Sequence, residues 1–353
     1  MVAKGFTQVY GIDFEETFSL VAWFETVRIL LALAALEDWD IESLDVKTAY
    51  LYGKLNEEIY MDQPEGYIKK GQEKKVCCLL KSLYGLRQSV LQWNKELHKS
   101  LLDLGFTCTR LDAGVYFKFD GTDITLVVIY VNDVLFMESN PKLVKEEKGK
   151  FIKVWESRNL GEAKEYLGMR ITCDRKKQTL TLDQCVYVEK VLKRFRMQNA
   201  KPAQTPLPTG YNPKISDTEA TSEICSQYQS VIGLLLYIML GTQPDITYTV
   251  IHMSQFCANP LQEHLSWALY IIQYLGSTKN LALCYDGANH NGFLGYADSD
   301  WTANPDDWKS ITGYILFLAN SPISWLTRRQ KTVALSSTEA KYMAMSDTTR
   351  QIS

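Results

Sequence analysis

An α+β fold, in which antiparallel strands follow one another instead of alternating with helices, is what this sequence predicts. Three observations carry the prediction. Residues 124–136 hold two apolar, β-branched runs around Asn132-Asp133, the pattern of a β-hairpin with polar side chains on its tip. Val115 to Phe119 leads into that hairpin with no helix between, so the sheet is antiparallel. Val90 to Leu104 has the apolar spacing of an amphipathic helix and stops at Gly105, a natural C-terminal cap, which supplies a layer for one sheet face.

The remaining elements follow in order. From Val21 to Leu36 apolar residues recur at helical spacing in an Ala- and Leu-rich composition, predicting a buried helix. Ile41 to Val46 reads as a short strand and Val76 to Leu83 as another. After the hairpin, 141–157 is predicted helical. Tyr166 to Cys173 and Thr179 to Leu182 flank Asp174 to Lys177 as a second hairpin, and Gln184 to Phe195 is a further helix. Between Asn199 and Glu223 the composition shifts to Pro202, Pro206, Pro208 and Pro213 among small polar residues, the signature of a linker. Residues 227–240, 246–257 and 261–275 read as three consecutive helices, and strand character returns from Leu281.

Size and charge narrow the function. A chain of 353 residues with 46% hydrophobic content has room for two or three domains. A formal net charge of −3 gives no global attraction to a polyanion, so nucleic acid would need local basic surface. Candidates are Lys69-Lys70 with Lys74-Lys75, Lys190 with Lys193, Arg194 and Arg196, and Arg328-Arg329 with Lys331, each equally readable as a solvated face. The eight cysteines lack metal or redox spacing, and the four histidines pair with none of them, so reduced structural thiols are expected. The longest apolar run, Val231 to Leu240, is short of a membrane span, and Met1 leads into no signal-peptide segment. A soluble intracellular protein with no membrane partner is the expectation.

One pair of carboxylates suggests chemistry. Asp45 follows an apolar approach from Trp39 to Leu44, and Asp133 sits on the hairpin. If the two segments lie side by side, both acids could share divalent cations for phosphoryl or nucleotidyl transfer. Asn-Asp is also an ordinary turn pair, since both residues tolerate positive φ.

Asp45 to Gly53, Glu58 to Gly66, Lys81 to Gln88 and Tyr130-Val131-Asn132-Asp133 occur in the order found in copia-type retrotransposon polyproteins, which this chain resembles from Val2 to its C-terminus. Gly295 to Trp301, Ile323-Ser324-Trp325 and Val333 to Ala340 resemble the start of the ribonuclease H domain of the same polyproteins. The resemblance implies reverse-transcriptase fingers, palm and the start of a thumb over 1–198, a Pro-rich linker over 199–225, a helical connection over 226–280, and the N-terminal part of a ribonuclease H-like α/β domain over 281–353. It implies RNA-directed DNA polymerase activity with two Mg²⁺ ions, Mn²⁺ being an alternative. RNA template, DNA primer and deoxynucleoside triphosphates would be the partners, in cytoplasmic virus-like particles or the nucleus.

By the same resemblance, Asp45 binds both metals with the Val46 carbonyl as an extra oxygen ligand, and Asp133 is the second acid. Tyr50 matches the aromatic floor of the sugar pocket, which would disfavour a ribose 2′-hydroxyl; a core tyrosine fits its sequence as well. Gln88 matches a residue touching the incoming nucleotide and template, although a helix N-terminal side chain bonding its own backbone reads the same way. In the ribonuclease H portion, Asp298 and Glu339 match metal-binding acids, and Glu339 is also suited to the first turn of a helix opened by Ser336, Ser337 or Thr338. Asp300, Asp306 and Asp307 are read as loop residues.

Departures from the family predict impairment. Asn132 stands where the family has the first of two aspartates, removing a full negative charge between two cations. Gln88-Ser89-Val90-Leu91 replaces Gln-Ala-Pro-Arg, losing a proline and a basic residue. Lys341 replaces a second glutamate and Trp308 an arginine. Triphosphate-gripping residues are expected upstream of Met1, and closing helices of the ribonuclease H domain beyond Ser353, so its sheet is expected to be unstable and without hydrolytic activity. The alternative is a nucleic-acid-binding remnant that keeps a primer–template groove without turnover.

Overall fold

The computed structural model describes residues 1–208, 211, 219–302 and 308–352. The chain divides into two compact units: residues 1–27 with 39–163, and residues 28–38 with 164–353. The division falls after Ala163, and the Pro-rich stretch lies within the second unit. Helix α1 (Phe24–Leu36) contributes its first turn to one unit and the rest to the other.

In the first unit the elements are β1 (Asp40–Val46), β2 (Lys54–Asp62), β3 (Val76–Lys81), α2 (Ser89–Asp103), β4 (Thr107–Cys108), β5 (Val115–Asp120), β6 (Asp123–Tyr130), β7 (Asp133–Glu138), α3 (Pro141–Val154) and β8 (Ser157–Glu162). Six of the strands form an antiparallel sheet ordered β4-β5-β6-β7-β1-β8, so β1, first in sequence, is inserted between the hairpin and the last strand. Alternation sends Leu44, Val46, Val127, Ile129, Val134 and Phe136 into one core with Trp93, Leu97 and Leu101 of α2 and Phe151 of α3. Asp45 and Asp133 belong to the opposite face by the same period of two. Helix α2 ends as expected, with Gly105 at φ +88°.

Two features differ from expectation. Lys54–Asp62, whose alternating side chains are mostly exposed and charged, pairs with β3 as a separate two-stranded ladder. The β6–β7 turn is not Asn132-Asp133 but Val131-Asn132, because Tyr130 pairs with Asp133. Val131 therefore takes φ +57°, a conformation that two-residue turns usually give to Gly or Asn. Its carbonyl accepts the Trp93 indole N–H at 2.7 Å, and the Asn132 carbonyl accepts the Val46 N–H at 2.9 Å. These two bonds clamp a turn whose backbone strain is on the order of 1–3 kcal/mol.

At the far end of β7, Glu138 is fully buried, opposite Asp40 on β1 and Thr125 on β6. Burial pushes its carboxyl up to about 7, with Glu147 and Asp40 adding to the rise and Thr125 and Lys118 partly opposing it. Between the ordinary value of 4.5 and about 7 the folded chain holds a proton that the unfolded chain has released. Stability from this group is therefore highest at low pH and falls as pH rises through that window, by about 3 kcal/mol in all. Glu138→Gln should flatten the dependence and be the more stable form at pH 8. Urea unfolding at pH 5 and pH 8 checks this; parallel pH profiles for the two proteins would refute it.

The second unit adds β9 (Glu165–Tyr166), β10 (Met169–Asp174), β11 (Thr179–Asp183), α4 (Cys185–Arg194), α5 (Ser222–Gly241), α6 (Thr247–Ser254), α7 (Gln262–Thr278), β12 (Leu283–Asp286), β13 (Leu294–Asp300), β14 (Ile311–Leu318), β15 (Ser321–Arg329) and α8 (Ser337–Ile352). Strands pair as β12-β11-β10-β9 and β13-β14-β15. The apolar run Val231–Leu240 is part of a 20-residue helix that, by length and composition alone, could cross a membrane, contrary to the expectation of a short run. A core helix meets the same criterion, and Tyr228, Val231, Ile232, Leu235 and Ile238 pack with α4, α6 and α7. Arg28 is buried in this unit: it donates to the carbonyls of Leu240, Gly241 and Ile323 and lies 3.9 Å over the Trp325 ring. Asp300 closes β13 instead of lying in a loop, and Asp306 and Asp307 lie outside the described residues. All eight cysteines are free.

Candidate active site

Asp45 is the penultimate residue of β1 and Asp133 the first of β7, and the ladder makes them direct partners. Directly opposed residues on antiparallel strands project to the same face with Cβ atoms about 5 Å apart. Both are half-buried. The Asn132 side-chain amide donates to Asp45 Oδ1 at 2.6 Å, so the turn residue leans over the pair. The amide contributes an N–H where an aspartate would contribute a third anion.

Around this pair, Val46 is buried and its N–H is bonded to Asn132. Tyr50 lies in a short 3₁₀ turn (Ala49–Tyr52), half-buried and edge-on to Tyr84 with ring centroids 4.7 Å apart. Burial, with Tyr84 beside it, raises its phenol above the usual range. Gln88 is the N-cap of α2 but does not cap it; its amide donates to the Asp13 carbonyl and accepts from Gln8. At 0% exposure it faces neither its own backbone, as one sequence reading had it, nor an open surface.

The second pair of acids is arranged differently. Asp298 on β13 is exposed, accepts the Ser299 N–H and lies 3.7 Å from Lys341 Nζ. Glu339 is the third residue of α8; its N–H donates to Ser336 Oγ and its carboxylate accepts the Leu335 N–H, the reciprocal pattern of a helix cap. A cleft of about 620 Å³ near Asp298 is lined by Tyr248, Tyr296, Tyr314, Trp325 and Lys341. Among the described residues no group of three or more Asp, Glu, His or Cys gathers as a metal cluster, so the Asp45–Asp133 pair stands with Asn132 as its third polar neighbour.

Residues 1–209, which include the entire Asp45–Asp133 sheet, match the family described as reverse transcriptase (RNA-dependent DNA polymerase). The chain belongs to that family. Its reverse-transcriptase region is of the copia type of retrotransposon Pol protein. Over its whole length the chain is 40% identical to the retrovirus-related Pol polyprotein from transposon TNT 1-94 of Nicotiana tabacum, of which it covers 27%. Over 88% of its length it is 30% identical to all of the putative transposon Ty5-1 protein YCL074W of Saccharomyces cerevisiae. A solved foamy viral protease–reverse transcriptase in complex with double-stranded DNA aligns with 98% of the chain and 51% of that chain, at 12% identity and a TM-score of 0.47. The chain thus spans about a quarter of the tobacco polyprotein it matches.

Sequence reasoning did not reach β8, which lies against the other edge of β1 and sets Arg158 opposite Asp45. Ser157–Glu162 has a single large apolar residue, Leu160, and ends near Gly161 at φ +74°, so nothing in it reads as a strand. Only the ladder reveals it.

Proposed function

We propose that the Asp45–Asp133 pair is the catalytic centre of an RNA-directed DNA polymerase of copia type, weakened by Asn132. The observation that carries this reading is the direct pairing of the two carboxylates across β1 and β7, a rigid arrangement reached from distant sequence positions. Two facing carboxylates fit one hard dication; a second would find an amide where a third anion is wanted. A bound Mg²⁺ or Mn²⁺ would neutralise phosphate oxygens and favour the attacking hydroxyl.

The chain's own groups then have distinct tasks. Asp45 and Asp133 would hold the cation, and the Val46 carbonyl would be an added oxygen ligand. The Tyr50 ring floors the sugar pocket, braced by Tyr84. Gln88 supports the nucleotide side indirectly by fastening residues 8–13 to the start of α2. RNA template, DNA primer and deoxynucleoside triphosphates are the partners, in cytoplasm or nucleus. We assign residues 1–198 to the polymerase, 199–225 to a linker, 226–280 to a connection and 281–353 to a ribonuclease H-like region with Asp298 and Glu339 as its acids. The Lys341 contact to Asp298 and the capping duty of Glu339 argue against hydrolysis there.

Primer extension on an RNA template in Mg²⁺ tests the assignment. Slow extension is expected, and Asp45→Asn should abolish it; extension indifferent to that change would refute the site. A second reading is favoured by the Asn132 bond to Asp45, which engages an oxygen that a cation would need: a nucleic-acid-binding protein without turnover. Salt-sensitive duplex binding, with no extension even after Asn132→Asp, would favour it.

A further inference from the structure

Three side chains stand in a row across the sheet. β1 is flanked by β7 and β8, and Asp45 pairs with Asp133 on one side and with Arg158 on the other. Cross-strand partners share a face, so the order on that face is carboxylate, carboxylate, guanidinium at steps of about 5 Å. An opposite-charge cross-strand pair is close enough to form an ion pair. Here it does not form one. The hydrogen-bond donor on Asp45 is Asn132, and Arg158 is exposed with no hydrogen bond or ion pair among the described residues.

The neighbouring cation behaves differently. Lys47, two residues beyond Asp45, is held by Glu156 at 2.8 Å, and its backbone N–H donates to the Glu156 carbonyl at 2.9 Å. Of the two cations beside the acid pair, one is neutralised and the other is uncommitted. A guanidinium offers a planar fork of donors that matches phosphate oxygens two at a time, and it stays charged at any working pH. A polyanion approaching two carboxylates needs such a fixed positive charge beside them.

We infer that Arg158 is a phosphate-binding residue, gripping the polyphosphate of a nucleoside triphosphate whose reacting phosphorus lies over Asp45 and Asp133. The inference rests on the nucleotidyl-transfer reading of that pair, and binding can be measured apart from turnover. The experiment compares the full chain with Arg158→Gln and Arg158→Lys by titrating a deoxynucleoside triphosphate and inorganic pyrophosphate in Mg²⁺, with circular dichroism melts as folding controls. Arg158→Gln should weaken both ligands about tenfold, Arg158→Lys should fall between, and Mg²⁺ affinity in the absence of nucleotide should not change. In an Asn132→Asp background that extends primers, Arg158→Gln should raise KM for nucleotide more than it lowers kcat. Unchanged pyrophosphate and nucleotide affinity in Arg158→Gln would overturn the inference. So would a change confined to Mg²⁺ affinity, which would make Arg158 a mere counter-charge to Asp45. Arg158-dependent pyrophosphate binding without any extension would support this inference while counting against polymerase turnover.

Discussion

Asn132→Asp should raise the rate of Mg²⁺-dependent primer extension by about 100-fold or more. Losing a group that merely supports a metal ligand costs roughly 10–100-fold, and on the proposed reading a missing charge where a cation would bind should cost more. Geometry favours the gain: Asn132 already leans toward Asp45, and its carbonyl is fixed by the Val46 N–H. An aspartate there would need only to exchange its hydrogen bond to Asp45 for a shared cation. Without that cation, two carboxylates would face each other at hydrogen-bond distance. The substituted chain should consequently be less stable than the parent in chelator and should recover as Mg²⁺ is added. Thermal melts with and without Mg²⁺, beside single-nucleotide extension rates, check both parts. Rates within threefold of the parent would show that Asn132 is not what limits the site.

Arg28→Met should destabilise the second unit by about 3–5 kcal/mol, since it removes three hydrogen bonds from a charged donor, each worth roughly 1–3 kcal/mol. The guanidinium satisfies two carbonyls at the C-terminal end of α5 and one on β15, and it stacks on Trp325, whose indole in turn donates to the Met239 carbonyl. Methionine restores volume but none of the donors, leaving the buried Gly241 and Ile323 carbonyls without the Arg28 bond. For a unit of this size the melting temperature should drop by roughly 10 °C. A fall of less than about 2 °C in differential scanning calorimetry would mean that the carbonyls find water or other donors. Arg28→Lys should recover only part of the loss, since an ammonium cannot span three acceptors in the same plane.

Much of this architecture is legible from sequence where the pattern is periodic and the partner is local. The hairpin, the strand before Asp45 and helix α2 with Gly105 all follow from apolar spacing and cap chemistry. The convergence of Asp45 and Asp133 follows from the family resemblance and not from spacing, since 87 residues separate Asp45 even from the Asn132 that bonds it. What escapes is set by tertiary contact. Asn132 and Asp133 are the residues that tolerate positive φ, yet Val131 takes it because Trp93 and Val46 hold the turn one position earlier. Gln88 resembles a cap until residues 8–13 fold over it. β2 and β8 escape because their side chains are mostly polar and exposed, so hydrophobic alternation cannot mark them.

The ladder between β1 and β7 also fixes how this protein tolerates insertions and deletions. Removing any one residue between Asp40 and Leu44 shifts the register by one and inverts every side chain beyond the lesion, sending the Asp45 carboxylate into the layer of Trp93 and Phe136 while Leu44 faces water. The connection from Asp62 to Val76, outside both strands, can change length at a cost that grows only slowly with loop size. Reading-frame-preserving insertions and deletions should therefore be tolerated in that connection, while any in β1 should abolish the sheet that pairs Asp45 with Asp133.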